Sequence, residues 1–390
     1  MKIPFERIQQ TRTPFYYYDT DLLKSTLDEI SRHTADRPDF DVHYAVKANV
    51  NPTLLRIIAD RGFGADCVSG GEIKTCIEAG FSPEKIVFAG VGKSDWEINL
   101  ALQNNIACFN VESLPELDVI NELAAAQHKT ARVAFRINPN VDAHTHANIT
   151  TGLPENKFGI AMDDMLTAIR RAQELSHVHY VGLHFHIGSQ ILDFTCYKLL
   201  CERINQLQTQ LEGEGISTES INVGGGVGID YQAPDQNPIP DFATYFSLFK
   251  ENLQLRKGQK LHFELGRSIV GQCGSLITKV LYVKETKIKN FLIVDAGFTD
   301  LIRPALYDAY HKIEKISPET EDSTSQTTYD VVGPICESSD VFDKDVCLPT
   351  CRRGDYIALR SAGAYGEIMA SQYNCRQLPG ALTSDDTRTA

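Results

Sequence analysis

Lys47 stands near the tip of a short apolar run, Tyr44-Ala45-Val46-Lys47-Ala48-Asn49, and Val50-Asn51-Pro52 behind it ends any strand. Lysine is the side chain that can hold an aldehyde cofactor as a Schiff base. Taken alone, this lysine reads more simply as a strand-end residue whose stem covers apolar surface while its ammonium stays in water. Further along come the glycine run Gly224-Gly225-Gly226 and the segment Phe263-Glu264-Leu265-Gly266-Arg267. Three successive glycines let backbone N–H groups approach a phosphate closely, although the same run also makes a plain turn. Glu264 suits the protonation of a ring nitrogen, or else a structural ion pair with Arg267. His186 offers a flat imidazole for ring stacking, or else a satisfied interior histidine, and Ser189 beside it adds a hydroxyl.

The elements that must position these residues alternate regularly. β-rich runs at Val42–Ala48, Gly64–Ser69, Lys85–Gly90, Ala107–Val111, Arg132–Asn138, Tyr180–Ser189, Ser220–Gly226 and Lys260–Arg267 are separated by helical stretches. Those stretches include Ser69–Ala79, Ser113–Gln127, Met162–Glu174 and Thr195–Glu212. Eight such units predict an α/β fold, a closed (β/α)8 TIM-type barrel, with an open doubly wound sheet as the alternative. In a barrel the chemistry gathers at the C-terminal strand ends. Lys47, Asp66, Arg136, His186 with Ser189, the glycine run, and Glu264 with Gly266 and Arg267 all fall there. A lysine, a phosphate cradle, a carboxylate and an aromatic face on one rim are what pyridoxal 5'-phosphate (PLP) requires. The glycine run lacks the lysine-serine pair of a P-loop, which argues against a nucleoside triphosphate.

From about residue 268 the runs Leu276–Val283, Asn290–Asp295, Thr328–Val332 and Asp355–Leu359 follow one another without long helices between them. They predict a C-terminal antiparallel β-barrel or sandwich domain. The expected division is a barrel over 31–267 and a β domain formed by 1–30 and 268–390, with Pro14-Phe15-Tyr16-Tyr17-Tyr18-Asp19 as an added strand. Residues 315–327, rich in Ser, Thr and Glu, read as a mobile loop.

Composition narrows the partners. The 390 residues are 42% hydrophobic and carry a net charge of -13, so nucleic acid and anionic membranes are poor partners. Met1-Lys2-Ile3-Pro4-Phe5-Glu6-Arg7 lacks the apolar core of a signal peptide, and no segment reads as a bilayer span, so a cytoplasmic protein is expected. The ten cysteines are scattered, and Cys347 with Cys351 lacks the further ligands of a zinc site. Most of them read as small buried hydrophobes, with no metal expected.

Several motifs together resemble the fold type III PLP-dependent decarboxylases over nearly the whole chain. They are Tyr44-Ala45-Val46-Lys47-Ala48-Asn49, His186-Ile187-Gly188-Ser189-Gln190, Gly224-Gly225-Gly226, Glu264-Leu265-Gly266-Arg267, Gly333-Pro334-Ile335-Cys336-Glu337-Ser338 and Gly363-Ala364-Tyr365-Gly366. The resemblance implies Lys47 as the Schiff-base lysine, with His186 stacked on the cofactor ring and Glu264 at its pyridine nitrogen. It implies phosphate binding by Ser189, Gly225, Gly226 and the Leu265-Gly266-Arg267 segment, with Asp66 and Tyr373 also near the cofactor. Substrate contacts would come from Arg267, Arg303, Tyr307, Glu337 and Tyr373, and Cys336 would be the proton donor. A thiol keeps most of its proton at neutral pH and can serve as an acid.

The family assembles as a homodimer in which Cys336 and Glu337 would reach the partner's cofactor. The implied reaction is decarboxylation of meso-2,6-diaminopimelate to L-lysine and CO2, the last step of lysine biosynthesis. Carboxynorspermidine, arginine and ornithine are the alternative substrates. Alanine racemase shares the barrel but sets an arginine at the pyridine nitrogen, which Glu264 argues against, and Lys47 with Cys336 argues against a non-catalytic relative. The sequence departs from the pattern at Leu265, where proline is usual, and at Ser339, where glycine is more usual before the aspartate.

Overall fold

The structure, a computed structural model, describes residues 5–141, 157–318 and 325–386. The chain forms two compact units, one of Leu27–Gly228 and Asp241–Gly266, the other of Met1–Thr26, Ile229–Pro240 and Arg267–Ala390. The first strand in the chain, β1 (Phe15–Tyr18), belongs to the second of these. Among the described residues no helix is long and apolar enough to cross a membrane.

In the first unit eight strands run parallel: β2 (Phe40–Ala45), β3 (Gly64–Cys67), β4 (Ile86–Phe88), β5 (Cys108–Val111), β6 (Ala131–Asn138), β8 (Val178–His184), β9 (Ser220–Asn222) and β10 (Lys260–Leu265). A two-residue strand, β7 (Ile160–Ala161), pairs with the end of β6. The order β5-β4-β3-β2-β10-β9-β8-β6 closes through pairing of β5 with β6. This is the predicted TIM-type barrel, and its closure excludes the open sheet.

Local sequence explains where the helices between strands begin. Ser69 accepts the Glu72 N–H ahead of helix Gly70–Ala79, Ser113 that of Glu116 ahead of Leu114–Ala126, and Asp241 that of Thr244 ahead of Phe242–Asn252. Each side-chain oxygen satisfies a donor that the first helical turn leaves without a partner. On β10, Phe263 faces the helices and packs edge-on against Tyr245, Phe246 and Phe249, with ring centroids 5.0 to 5.8 Å apart. Strand alternation then turns its neighbour Glu264 into the barrel.

Six of the eight predicted strands run too far at their C-terminal ends, while those predicted to end at Val111 and Asn138 do end there. β2 stops at Ala45, and Lys47 sits on a 3-10 turn, Val46–Ala48. β8 stops at His184, β9 at Asn222 and β10 at Leu265, so His186, Ser189, the glycines and Gly266 all lie on loops, while Arg267 opens a short helix, Arg267–Val270. The physical cause is visible in the backbone: Gly224 (φ 69°) and Gly226 (φ 111°) leave the extended region and break the ladder. Apolar runs continue into these loops because the rim is buried as well.

The second unit carries β11 (Gly274–Glu285), β12 (Asn290–Val294), β13 (Ile313–Lys315), β14 (Gln326–Val332), β15 (Val341–Pro349), β16 (Tyr356–Leu359) and β17 (Gly380–Thr383). The main order is β13-β16-β11-β12-β14-β15, with β1 paired to β11 and β17. The predicted antiparallel sheet is in fact mixed, because β12–β14 and β1–β17 are parallel. Neither parallel pair is joined by a tight hairpin, the connection that would force antiparallel pairing. Strands β13, β15 and β17 were not predicted: β13 has three residues, and β15 contains Asp343-Lys344-Asp345, which reads as a turn. Of the predicted 315–327 loop, residues 319–324 lie outside the described residues.

Candidate active site

Glu264 is the electrostatic centre of the barrel rim. Its Oε1 accepts from Asn222 Nδ2 at 2.7 Å and Asn110 Nδ2 at 3.3 Å, and its Oε2 from His184 Nε2 at 3.1 Å. These donors stand on β9, β5 and β8, so four strands converge on one carboxyl group. Burial pushes the carboxyl upward, but His184 and Lys47 hold it well below the usual carboxylate range. Glu264 is therefore a buried ionised carboxylate. Asp66, on β3, shows the opposite: burial, then the charge of Glu264, raises it well above its ordinary value, and its Oδ1 is buried with no hydrogen-bond partner among the described residues.

Lys47 is exposed on its turn, and its charge acts on Glu264, Asp66, Glu72 and His186. Gly266 underlies that turn: a Cβ there would meet the Ala45 and Ala48 methyl carbons at 3.1 and 3.2 Å. His186 accepts the Gly225 N–H on Nδ1 at 3.3 Å, which leaves its ring proton on Nε2. Burial, helped by Lys47 and Arg136, pushes His186 well below its ordinary value, so the ring is neutral.

The glycine loop is built to touch backbone. A Cβ on Gly225 would lie 1.8 Å from the Glu264 carbonyl oxygen, and one on Gly226 would lie 2.5 Å from the Gly188 oxygen. Tyr197 donates to the Gly225 carbonyl at 3.0 Å from behind. The loop carrying Ser189 is laced to it by Ile191 N–H to Gly226 O and Gly228 N–H to Ile191 O, both 2.9 Å. Arg136, by contrast, forms a buried ion pair with Glu112 at 3.1 Å, and the same carboxylate takes the Gly90 and Gly159 N–H groups. It fastens the rim.

In the second unit two buried arginines share one tyrosine. Arg267 Nη1 donates to Tyr231 Oη at 2.7 Å and lies over the Tyr365 ring, while Arg303 stands over the Tyr231 ring at 5.4 Å. Arg303 Nε donates to His311 Nε2 at 3.2 Å, and His311 Nδ1 donates to the Arg360 carbonyl at 2.9 Å. Burial, reinforced by Arg303, lowers His311 to about 3. Among the described residues no carboxylate pairs with Arg303, and burial and Arg267 push its guanidinium down. Tyr307 ends the short helix Arg303–Tyr307 and lies near both arginines. The arrangement suits an anion.

Elsewhere in that unit, Glu337 accepts from Tyr373 Oη at 2.6 Å, and Cys336 beside it is exposed. Their loop hangs from Asp340, which takes the Phe298 and Ile335 N–H groups, each at 2.7 Å. Ser339 does not adopt the left-handed backbone, so glycine is not required there, and Leu265 is fully buried in register with Tyr44. Sequence reasoning passed over His184, Asn110 and Asn222 around Glu264, and Tyr231 and His311 around the arginines. An asparagine in a buried strand was the available signal, since strands disfavour it unless it bonds something.

The pyridoxal binding domain of the pyridoxal-dependent decarboxylases matches residues 23–271. The chain belongs to this family, and it is a carboxy-lyase. Its curated relatives include the diaminopimelate decarboxylase of Bacteroides thetaiotaomicron, 62% identical over 98% of this chain and 98% of that one. A second, from Neisseria meningitidis, is 44% identical over 98% of this chain and 93% of its own length. Among solved structures, Helicobacter pylori diaminopimelate decarboxylase complexed with L-lysine superposes with a TM-score of 0.92 at 42% identity, covering 98% of this chain and 94% of that chain.

Proposed function

We propose that this enzyme decarboxylates meso-2,6-diaminopimelate to L-lysine and CO2 with pyridoxal 5'-phosphate as cofactor. The observation that carries the reading is the buried Glu264, held by three side-chain donors and acted on by the charge of Lys47, together with a glycine loop too tight for any side chain. The identity to diaminopimelate decarboxylases supports the choice of substrate.

The residues present fit the cofactor. Lys47 would hold it covalently through Nζ, and Glu264 would face its ring nitrogen. His186, neutral with its Nδ1 tied to Gly225, presents a flat face for stacking. Gly225, Gly226 and Ser189 would receive the phosphate, with the Leu265-Gly266-Arg267 segment and Tyr373 completing the set. When bound, PLP supplies an electron sink for the pair left behind as CO2 departs. Glu264 stays ionised and so keeps a proton on the ring nitrogen.

Arg303 and Arg267 would bind substrate carboxylate, with Tyr307 beside them, and Glu337 with Tyr373 would recognise the distal amino-acid group. A substrate without that group would leave buried charge uncompensated, a loss of several kcal/mol. Cys336 Sγ would deliver the proton to the α-carbon after CO2 leaves. In the family this residue and Glu337 serve the partner's site, so the working unit is a homodimer. A reducing cytoplasm fits the ten unbridged cysteines.

The test is direct. The purified protein should show the cofactor's visible absorbance and release CO2 and L-lysine from meso-2,6-diaminopimelate in preference to carboxynorspermidine, arginine and ornithine. A coloured protein that leaves diaminopimelate intact overturns the assignment.

A further inference from the structure

The three side chains that hold Glu264 are not equivalent. Asn222 and Asn110 both donate to Oε1, whereas His184 alone donates to Oε2. His184 and Asn222 stand opposite one another in register on β8 and β9, a step below Glu264 on β10. His184 is 1% exposed, and its Nδ1 is buried with no hydrogen-bond partner among the described residues. Among the described residues its side chain makes one hydrogen bond, to Glu264. A buried imidazole that leaves one nitrogen unsatisfied carries a desolvation penalty. The side chain is thus placed for its single bond.

That bond fixes two properties of the carboxylate. With both amides on Oε1, the plane of the group is set only when Oε2 is also held. Removing the Oε2 donor also removes a hydrogen bond that favours the ionised form of Glu264. Other charged or titratable groups feel the same pair: His262 lies on β10, His186 beyond the end of β8, Lys47 after β2 and Asp66 on β3. Among the described residues, the hydrogen bond to Oε2 comes from His184.

We propose that His184 is a positioning residue for the cofactor's ring nitrogen: its Nε2–H sets the plane of the Glu264 carboxylate and keeps that group ionised toward the ring. The inference rests on the role given to Glu264 above, and His184 acts through that carboxylate, not on the cofactor or substrate. It makes His184 distinct from His186, two residues on, which is assigned to the ring face.

The test uses holoenzyme loaded with PLP labelled with 15N in the ring, in wild type, His184→Gln, His184→Asn and His184→Ala. A glutamine amide nitrogen reaches the place of Nε2, while that of asparagine stops near Nδ1, short of Glu264. The wild-type and His184→Gln ring nitrogens should show the protonated chemical shift. Those of His184→Asn and His184→Ala should move toward the unprotonated value. Cofactor dissociation constants from equilibrium dialysis should rise about tenfold or more in the Asn and Ala variants and stay near wild type in Gln, the range seen when a supporting hydrogen bond is lost. Substrate KM should hardly change while kcat falls.

A His184→Asn enzyme with the wild-type ring-nitrogen shift and cofactor affinity overturns the proposal, as does equal behaviour of Gln and Asn. The Gln–Asn pair decides even where the Ala variant does not fold. An unprotonated ring nitrogen in wild type would instead remove the role of Glu264 itself, so the two failures are distinguishable.

Discussion

The backbone of Gly225 lies against that of Glu264 so closely that a methyl group on the glycine would sit 1.8 Å from the Glu264 carbonyl oxygen. The proposed phosphate cradle and the carboxylate proposed for the ring nitrogen are thus two faces of one contact. Gly225→Ala should displace β10 at Glu264 and destabilise the fold by about 1–3 kcal/mol, with loss of cofactor affinity. Thermal unfolding and cofactor titration read the two effects, and an alanine variant with normal cofactor affinity would contradict the shared contact.

Lys47→Ala should abolish the covalent cofactor absorbance while leaving the fold intact, since the side chain is exposed on a 3-10 turn. A normal absorbance spectrum in that variant would take the lysine out of the mechanism.

Cys336→Ala should keep the cofactor absorbance of wild type and lose turnover on the order of a hundredfold, the weight of one positioned acid. The exposed loop anchored by Asp340 tolerates the change sterically. Unchanged turnover would assign the proton to another group.

Arg303→Gln should raise the substrate KM roughly tenfold or more, as expected for a charged hydrogen bond, with cofactor affinity unaltered. Initial-rate kinetics alongside cofactor titration separate the two. A raised cofactor dissociation constant with an unchanged KM would contradict the substrate role.

The acid limb of stability should carry the signature of a neutral histidine pair. His43 Nδ1 donates to the Lys85 carbonyl at 3.1 Å, and its Nε2 accepts from His262 Nδ1 at 2.8 Å. Burial lowers both to about 4. A depressed histidine contributes stability above its unfolded value near 6.5 that is lost as pH falls toward 4, at about 1.4 kcal/mol per pH unit for each group. His262→Asn keeps a donor where Nδ1 stood and removes one titration, so its unfolding midpoint should fall less steeply between those values. A slope equal to wild type would show that the pair does not control this limb.

The barrel was legible because eight β-rich runs alternate with helical stretches, and Lys47, Glu264 and the glycines stood out because they are costly or unusual at buried strand ends. What could not be read is how distant positions meet. Asn110, His184 and Asn222 lie on three strands and become one binding set only when β5 closes onto β6. Tyr231 was hidden for another reason: residues 229–240 sit between two barrel strands in the chain yet belong to the second unit. The segment is rich in Pro, Asp, Gln and Asn, which reads as an ordinary loop and not as a crossing into another unit. The overlong strand predictions share one cause, since the rim loops are as apolar and buried as the strands they follow.

Asp340 fastens two stretches of chain at once, Phe298 through one oxygen and Ile335 through the other. The proposed proton donor and the proposed reader of the substrate's far end therefore hang from a single peg. Retuning this enzyme for a longer or shorter substrate is then a matter of exchanging side chains at Glu337 and Tyr373. Inserting or deleting residues around the peg would shift the acid and the reader together and sacrifice chemistry for reach.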